Sequence, residues 1–194
     1  RAELFGAELI QQYCRADNNL KKLADVPANF KKIKFTQKSS AKDGEGKFVQ
    51  KITNRDYGFN VSFNMESDYN LKSKVAADII GTWRDYRKTF RLINRVRLNS
   101  PSSPVVVDLS IIRNSKMSGS VMVPAHTMEE SGIFTNAEHC EIELEVDNAK
   151  VGVGTPYTKE TVKALSDELR HTIRVSLSGL QETNYPISYK EQDA

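Results

Sequence analysis

One stretch of the chain decides the fold, and it reads His139-Cys140-Glu141-Ile142-Glu143-Leu144-Glu145-Val146. Apolar and acidic residues alternate along it, which is the pattern of a β-strand whose successive side chains point to opposite faces of a sheet. One face is apolar, and the other carries three glutamates spaced by about 6.5–7 Å. The pattern predicts a strand over residues 138–147.

Three carboxylates in a row repel one another unless their charge is offset. Water can offset it on an exposed strand, as can lysines on neighbouring strands, whereas a closed barrel needs a cation or arginines. Carboxylate oxygens are the ligands that Mg²⁺ and Mn²⁺ prefer, and these ions also contact substrate phosphates. Taken alone, such a strand is more typical of a solvated sheet face than of a metal site, because short motifs often match by chance.

Two further predicted strands, residues 88–98 and 104–113, also separate charged from apolar side chains. The arginines that share one face of the first strand are Arg91, Arg95 and Arg97. The second strand places Asp108 and Ser110 on one face, with only apolar residues on the other. A barrel whose apolar faces pack outward against helices would collect these charges inside. An ordinary sheet with one wet face, on which arginine and glutamate pair, fits the pattern equally well.

The remaining segments predict a mixed α and β fold. Helices are expected over residues 2–23, 73–86 and 158–178, with Thr158 capping the last helix and Gly179 ending it. Strands are expected over residues 57–64 and over residues 30–37, where Lys32 and Lys34 share one face. Loops or linkers are expected over residues 38–46, 115–136 and 180–194.

Length and composition are those of an ordinary globular protein. The 194 residues fit one domain, with or without a tail, and 39% of them are hydrophobic. With 28 basic and 25 acidic residues, the net charge of +3 does not by itself predict polyanion binding.

Cys14 and Cys140 lie far apart, which argues against a zinc cluster and favours a reducing, intracellular compartment. No apolar run is long enough to cross a bilayer, and no signal peptide is visible. A chain that starts with Arg1 is expected to be part of a longer protein.

Together and in this order, three segments resemble the triphosphate tunnel metalloenzymes. The closest resemblance is to the metal-dependent RNA triphosphatase domains of mRNA capping enzymes from large DNA viruses. The segments are Lys88–Arg95 (KTFRLINR), Val107–Ser115 (VDLSIIRNS), and Ser131–Phe134 (SGIF) followed by Glu141–Glu145 (EIELE). The tail Leu177–Ser188 (LSGLQETNYPIS) also resembles the junction before a guanylyltransferase domain.

The resemblance implies an α+β fold, an antiparallel eight-stranded β-barrel that forms a tunnel, with helices packed outside. It implies a tunnel domain over residues 1–179 and a linker over residues 180–194 toward a downstream guanylyltransferase domain. The implied activity is removal of the γ-phosphate from an RNA 5′-triphosphate end or a nucleoside triphosphate, with Mg²⁺ or Mn²⁺ as cofactor. The implied location is the host cytoplasm or the virion, with no membrane partner.

The resemblance also implies roles for individual residues. The metal ligands would be Glu141, Glu143 and Glu145, and Glu143 would also act in catalysis. Arg91 and Arg95 would hold the triphosphate and stabilise its transition state. Asp108 would orient a basic neighbour, and Arg113 takes the place of a common lysine. The further substrate-binding residues would be Arg97, Lys32 and Lys34.

The chain departs from the family pattern at three places. The second Glu-x-Glu strand that the family carries near its N-terminus has no match, since Glu3 and Glu8 fall in the predicted helix 2–23. Ile93 replaces a frequent lysine, and Asn60 replaces a frequent arginine. Two alternatives therefore stay open: a tunnel domain that binds triphosphate ends or polyphosphate without hydrolysis, and a β-rich interaction module with salt-bridged sheet faces.

Overall fold

The computed structural model describes residues 1–152 and 158–193, which form two compact units. The first unit consists of Arg1–Lys51, Ser62–Leu92 and Arg113–Ala137. The second consists of Ile52–Val61, Ile93–Ile112 and Glu138–Ala194.

Runs of strands and runs of helices follow one another along the described residues. The strands are β1 (Ala2–Leu4), β2 (Ile33–Ser40), β3 (Ile52–Asn54), β4 (Phe59–Val61), β5 (Asn64–Tyr69), β6 (Arg91–Asn99), β7 (Val105–Asn114), β8 (Met117–Ser118), β9 (Val121–Met122) and β10 (Glu138–Val146). The helices are α1 (Ala7–Arg15), α2 (Leu20–Ala24), α3 (Lys74–Gly81), α4 (Asn148–Val151), α5 (Lys159–Gln181) and α6 (Tyr189–Gln192). The predicted mixture of helices and antiparallel strands is confirmed.

The first unit is built on a sheet of order β1-β2-β5, in which both pairings are antiparallel. Its core is formed by apolar side chains from this sheet, from α1, α2 and α3, and from the segment before β10. The fully buried aromatic residues are Tyr13 and Phe35. Trp83 donates its indole N–H to the Tyr13 hydroxyl at 2.8 Å. Burial raises the pKa of Tyr13 to about 12.

The predicted helix over residues 2–23 is wrong, because the segment contains a strand and two short helices. Gly6 has φ +93°, which ends β1 and allows the chain to turn into α1. Asp17 and Asn18 are also left-handed, and the Asn19 side chain caps α2 by accepting a hydrogen bond from the Lys21 backbone N–H. The apolar spacing of α1 and α2 is nearly continuous across these breaks, which is why the segment resembles one helix.

Two predicted strands are shifted or divided. Residues Pro27–Lys32 form a 3₁₀ helix, so β2 starts at Ile33 and Lys32 does not share its face with Lys34, contrary to the prediction. Proline near the start of that turn fixes its backbone in a helical conformation. The predicted strand 57–64 is divided between β4 and β5.

The second unit contains most of a sheet of order β10-β7-β6. The five residues between β6 and β7 allow only an antiparallel hairpin. Arg95 contacts Glu143, and Arg97 contacts Glu145. Because the sequence separation is 48 residues in both pairs, β6 and β10 run in the same direction, on either side of β7. The predicted positions of these three strands are confirmed to within about three residues.

The last long helix starts as predicted, with a capping box in which Thr158 and Thr161 bond each other's backbone N–H groups. It continues past Gly179 to Gln181, and the left-handed Glu182 ends it. The tail then forms α6 and is anchored inside the second unit, because the Tyr189 backbone N–H donates to the Asp56 carbonyl at 2.8 Å. None of the helices in the described ranges is long and apolar enough to cross a membrane.

Within the described residues, the strands form two sheets of three strands and two of two strands, and no closed barrel is present. The expected outward packing of the apolar faces is also not observed on β7. Asp108 and Ile112 are completely buried, whereas Leu109 and Ile111 on the opposite face are 38% and 45% exposed. The face of β7 that carries the polar residues is therefore the buried one.

Candidate functional site

The centre of the candidate site is Asp108 on β7, whose side chain is completely buried. Arg97 donates two hydrogen bonds to the Asp108 carboxylate, from Nε to Oδ1 at 2.7 Å and from a terminal nitrogen to Oδ2 at 2.6 Å. Arg95 donates to Oδ2 at 2.8 Å, and its Nε donates to the Ser110 hydroxyl at 2.9 Å. Two guanidinium groups on β6 are thus held side by side over one carboxylate.

Two glutamates on β10 meet the same arginines from the other side of β7. Glu143 is in contact with Arg95, and Glu145 accepts a hydrogen bond from Arg97 at 3.1 Å. The side chains of these four residues are between 32% and 53% exposed, so they lie at the surface above the buried aspartate. We refer to Arg95, Arg97, Asp108, Ser110, Glu143 and Glu145 as the arginine cluster.

Strand alternation explains why these side chains meet. Arg95 and Arg97 are two residues apart on β6, as are the serine and aspartate on β7 and the glutamates on β10, so each pair points to one face. In an antiparallel β6–β7 pair, Arg97 lies opposite Asp108 and Arg95 lies opposite Ser110. The long side chains of arginine and glutamate then span the width of β7.

The charges within the arginine cluster compensate one another. The hydrogen bonds from Arg97 lower the pKa of Asp108 below its usual range, and the charge of Arg95 acts in the same direction. The hydrogen bonds with Asp108 raise the pKa of Arg97 above its usual range. Because two cations face three carboxylates, the cluster has a formal charge of −1, and an added anion binds only if it displaces a glutamate.

The structure brings together five of the predicted site residues and assigns the others elsewhere. Arg91, Arg113, Lys32 and Lys34 belong to the first unit. Arg113 donates to the Phe134 carbonyl at 2.9 Å. Lys34 pairs with Asp68 at 2.9 Å, and Lys32 lies 3.8 Å from Glu8. Glu141, on β10 of the second unit, is 3.1 Å from a ring nitrogen of His139.

The carboxylates of β10 are of the right type to bind a divalent metal, but their arrangement does not form a metal site. The three β10 glutamates offer carboxylate oxygens, which suit Mg²⁺ or Mn²⁺. In the described part of the chain, however, no three acidic, histidine or cysteine side chains are arranged to hold a metal ion. Glu143 and Glu145 each have one oxygen bound to an arginine, so a metal would have to compete with those arginines.

Ser110 is a member of the cluster that was not among the predicted site residues. It is 96% buried, and its hydroxyl accepts a hydrogen bond from Arg95, which fixes the orientation of that guanidinium. Its position two residues after Asp108 was the available signal, since alternation places both side chains on one face.

Comparison with known proteins adds no assignment. No family model, curated protein or solved structure matches this chain.

Proposed function

We propose that this chain is a metal-dependent RNA 5′-triphosphatase domain of the tunnel type and that its arginine cluster binds the triphosphate. The observation that carries the proposal is the pair Arg95 and Arg97 held over the buried Asp108. Guanidinium groups bind phosphate oxygens in a bidentate manner, and a fixed pair loses little conformational entropy when a ligand binds. In this proposal a guanylyltransferase domain follows downstream.

Each cluster residue has a distinct role in the proposed reaction. Asp108 stays bound to the arginines and keeps them in place. Arg95 and Arg97 exchange their glutamate partners for phosphate oxygens and stabilise the charge that develops on the transferred phosphoryl group. A glutamate released in this exchange can orient the attacking water, and Glu143 is the one we assign to this role.

Glu143 and Glu145, once released from the arginines, would supply metal ligands together with Glu141. Glu141, Glu143 and Glu145 would hold Mg²⁺ or Mn²⁺, which neutralises charge on phosphate oxygens when bound. Phosphate and metal binding are coupled in this scheme, because the phosphate occupies the arginines while the glutamates become available.

The test is release of γ-phosphate from a 5′-triphosphate RNA oligonucleotide in the presence of Mg²⁺ or Mn²⁺. We expect Arg95→Ala and Glu143→Ala to lower the rate at least 100-fold, because each removes a group that acts on the transition state. Asp167→Asn is the matched control, since it breaks an exposed ion pair with Lys163 in the same unit. Wild-type rates in both cluster variants, with unfolding temperatures unchanged, would show that the site is assigned wrongly.

A second candidate is binding of triphosphate ends without hydrolysis. It is favoured by the absence of a three-ligand metal group among residues 1–152 and 158–193. It predicts that tripolyphosphate raises the unfolding temperature in the wild type but not in Arg95→Ala, and that no phosphate is released with either metal. If neither tripolyphosphate nor metal shifts the unfolding temperature, the charged face is only a salt-bridged surface, as in an interaction module.

A further inference from the structure

The turn that follows β2 in the first unit is a hairpin with a fixed shape. Lys42 and Phe48 are antiparallel bridge partners, and the Asp43 backbone N–H donates to the Lys47 carbonyl at 2.8 Å. The Asp43 carboxylate accepts hydrogen bonds from the backbone N–H groups of Glu45 and Lys47, both at 2.9 Å. Gly46 is left-handed, with φ +80°, and closes the turn.

Phe48 is presented to solvent by this hairpin. Its side chain is 64% exposed, and the Lys42 ammonium lies 4.9 Å from the centre of its ring. Cross-strand partners that do not share hydrogen bonds bring their side chains closest together, so the lysine restrains the ring on one side. Because 64% of its surface is exposed, the ring can also stack on a planar ligand.

The net charge of the first unit is positive and that of the second unit is negative. The sequence of the first unit holds 19 lysines and arginines against 12 aspartates and glutamates, whereas the second unit holds the remaining 9 and 13. Of the four lysines on or beside the hairpin, Lys38 and Lys42 share the face of Phe48 by strand alternation, and Lys38 is paired with Glu66 at 3.4 Å. Lys47 and Lys51 alternate to the opposite face, and Lys47 is paired with Glu45 at 2.8 Å. An excess of positive charge on the unit that presents the aromatic ring favours a polyanionic ligand.

We infer that the hairpin 41–49 is a binding site for single-stranded nucleic acid. One unpaired base stacks on Phe48, and a neighbouring phosphate contacts Lys42. Stacking on an aromatic side chain together with lysine contacts to phosphate is how proteins bind single strands without sequence preference. An acidic polypeptide would use the lysines but gain nothing comparable from the flat ring, so the ring distinguishes the two ligands. This site is separate from the arginine cluster and needs no 5′-phosphate.

The experiment uses the whole chain and a 12-nucleotide uridine RNA with a 5′-hydroxyl and a 3′ fluorophore, and it measures fluorescence anisotropy at 50 and 200 mM salt. We expect Phe48→Ala to weaken binding at least fivefold and Phe48→Trp to restore it. Lys42→Gln is expected to reduce the salt dependence by about 0.7 in log–log slope, which corresponds to one phosphate contact. The corresponding DNA oligonucleotide shows whether the 2′-hydroxyl contributes.

Phe63→Ala is the matched control. Phe63 is 50% exposed and adjoins the same hairpin, since its carbonyl accepts from the Ala41 backbone N–H. Strand alternation places its side chain on the face opposite to that of Phe48. We expect this variant to bind within twofold of the wild type. The inference is overturned if the wild type does not bind RNA at 50 mM salt or if both phenylalanine variants lose affinity equally.

Two further results would also overturn the inference. One is displacement of the RNA by poly-glutamate at equal charge concentration, which would show a site for any polyanion. The other is loss of 5′-hydroxyl RNA binding in Arg95→Ala, which would place the binding at the arginine cluster. Because the RNA carries no triphosphate, this binding is expected even if the proposed triphosphatase activity is absent.

Discussion

Lysines on β2 pair with exposed acids on β5 in the first unit, whereas two arginines on β6 converge on one buried aspartate in the second. Lys34 pairs with Asp68 at 2.9 Å, and Lys38 pairs with Glu66 at 3.4 Å. All four of these side chains are between 39% and 58% exposed, whereas the side chain of Asp108 is completely buried. Both faces alternate charges across antiparallel strands, but only the second has a desolvated centre.

The comparison shows that charge pattern alone does not distinguish a solvated sheet face from a preorganised site. Exposed pairs exchange readily with water and contribute little free energy. A buried carboxylate must keep its partners, because losing one leaves an uncompensated charge in a poorly hydrated place. The second face therefore holds its arginines in a fixed geometry, which is what recognition of a phosphate requires.

The largest expected difference concerns the two aspartates. We expect Asp108→Ala to lower the free energy of unfolding by about 2–4 kcal/mol, because both arginines lose their shared partner. Asp68→Ala is expected to cost about 1 kcal/mol or less, since it breaks an exposed pair. Urea unfolding at pH 7 measures both. Equal effects would mean that burial does not distinguish the two faces.

The second prediction concerns pH. The hydrogen bonds from Arg97 lower the folded-state pKa of Asp108, so its stabilising effect is complete above the unfolded-state pKa of about 3.9. The effect is lost as the pH falls through the lower, folded-state pKa. The stability difference between wild type and Asp108→Asn should therefore be constant from pH 5 to 8 and shrink below about pH 4. A difference that shrinks instead between pH 5 and 7 would exclude this carboxylate as its source.

The third prediction separates arginine from lysine. Arg97 uses two nitrogens on the two oxygens of Asp108, and an ammonium group cannot reproduce that fork. We expect Arg97→Lys to cost about 1–2 kcal/mol in the free energy of unfolding. Lys34→Arg in the first unit should change it by less than about 0.5 kcal/mol. If Arg97→Lys is equally neutral, the fork does not contribute to stability.

The smallest expected effect is that of salt on the first face. Lys38→Ala is expected to cost a few tenths of a kcal/mol at low salt, and this cost should vanish in 1 M NaCl because exposed pairs are screened. The cost of Asp108→Ala should persist, since its partners contact it directly in a buried position. A salt-insensitive Lys38→Ala would show that its aliphatic stem, rather than its charge, stabilises the sheet.

Local sequence was most informative where side-chain period and burial agree. The alternation in β6, β7 and β10 predicted the strands and the shared face of Arg95, Arg97, Asp108, Glu143 and Glu145. The start of α5 was also predictable, because a threonine side chain caps it locally. These features depend on neighbours two to four residues away, which a sequence displays directly.

Sequence was least informative where a break or a partner strand decides the structure. The N-terminal segment has apolar spacing typical of a helix, yet β1 forms because β2 offers it a hydrogen-bonding edge. Gly6 and Asn18 were the available signals for breaks within that segment. Each of the two units combines segments that are distant in sequence, so a local sequence pattern does not predict the units.

The sequence by itself determined which side chains of β6, β7 and β10 share a face, because a strand repeats every two residues. Only the tertiary structure decided that the face of Asp108 is the buried one and that β7 lies between the arginine and glutamate strands. Burial and strand order depend on contacts between segments that are distant in sequence. The free energy of those contacts depends on how much water they exclude.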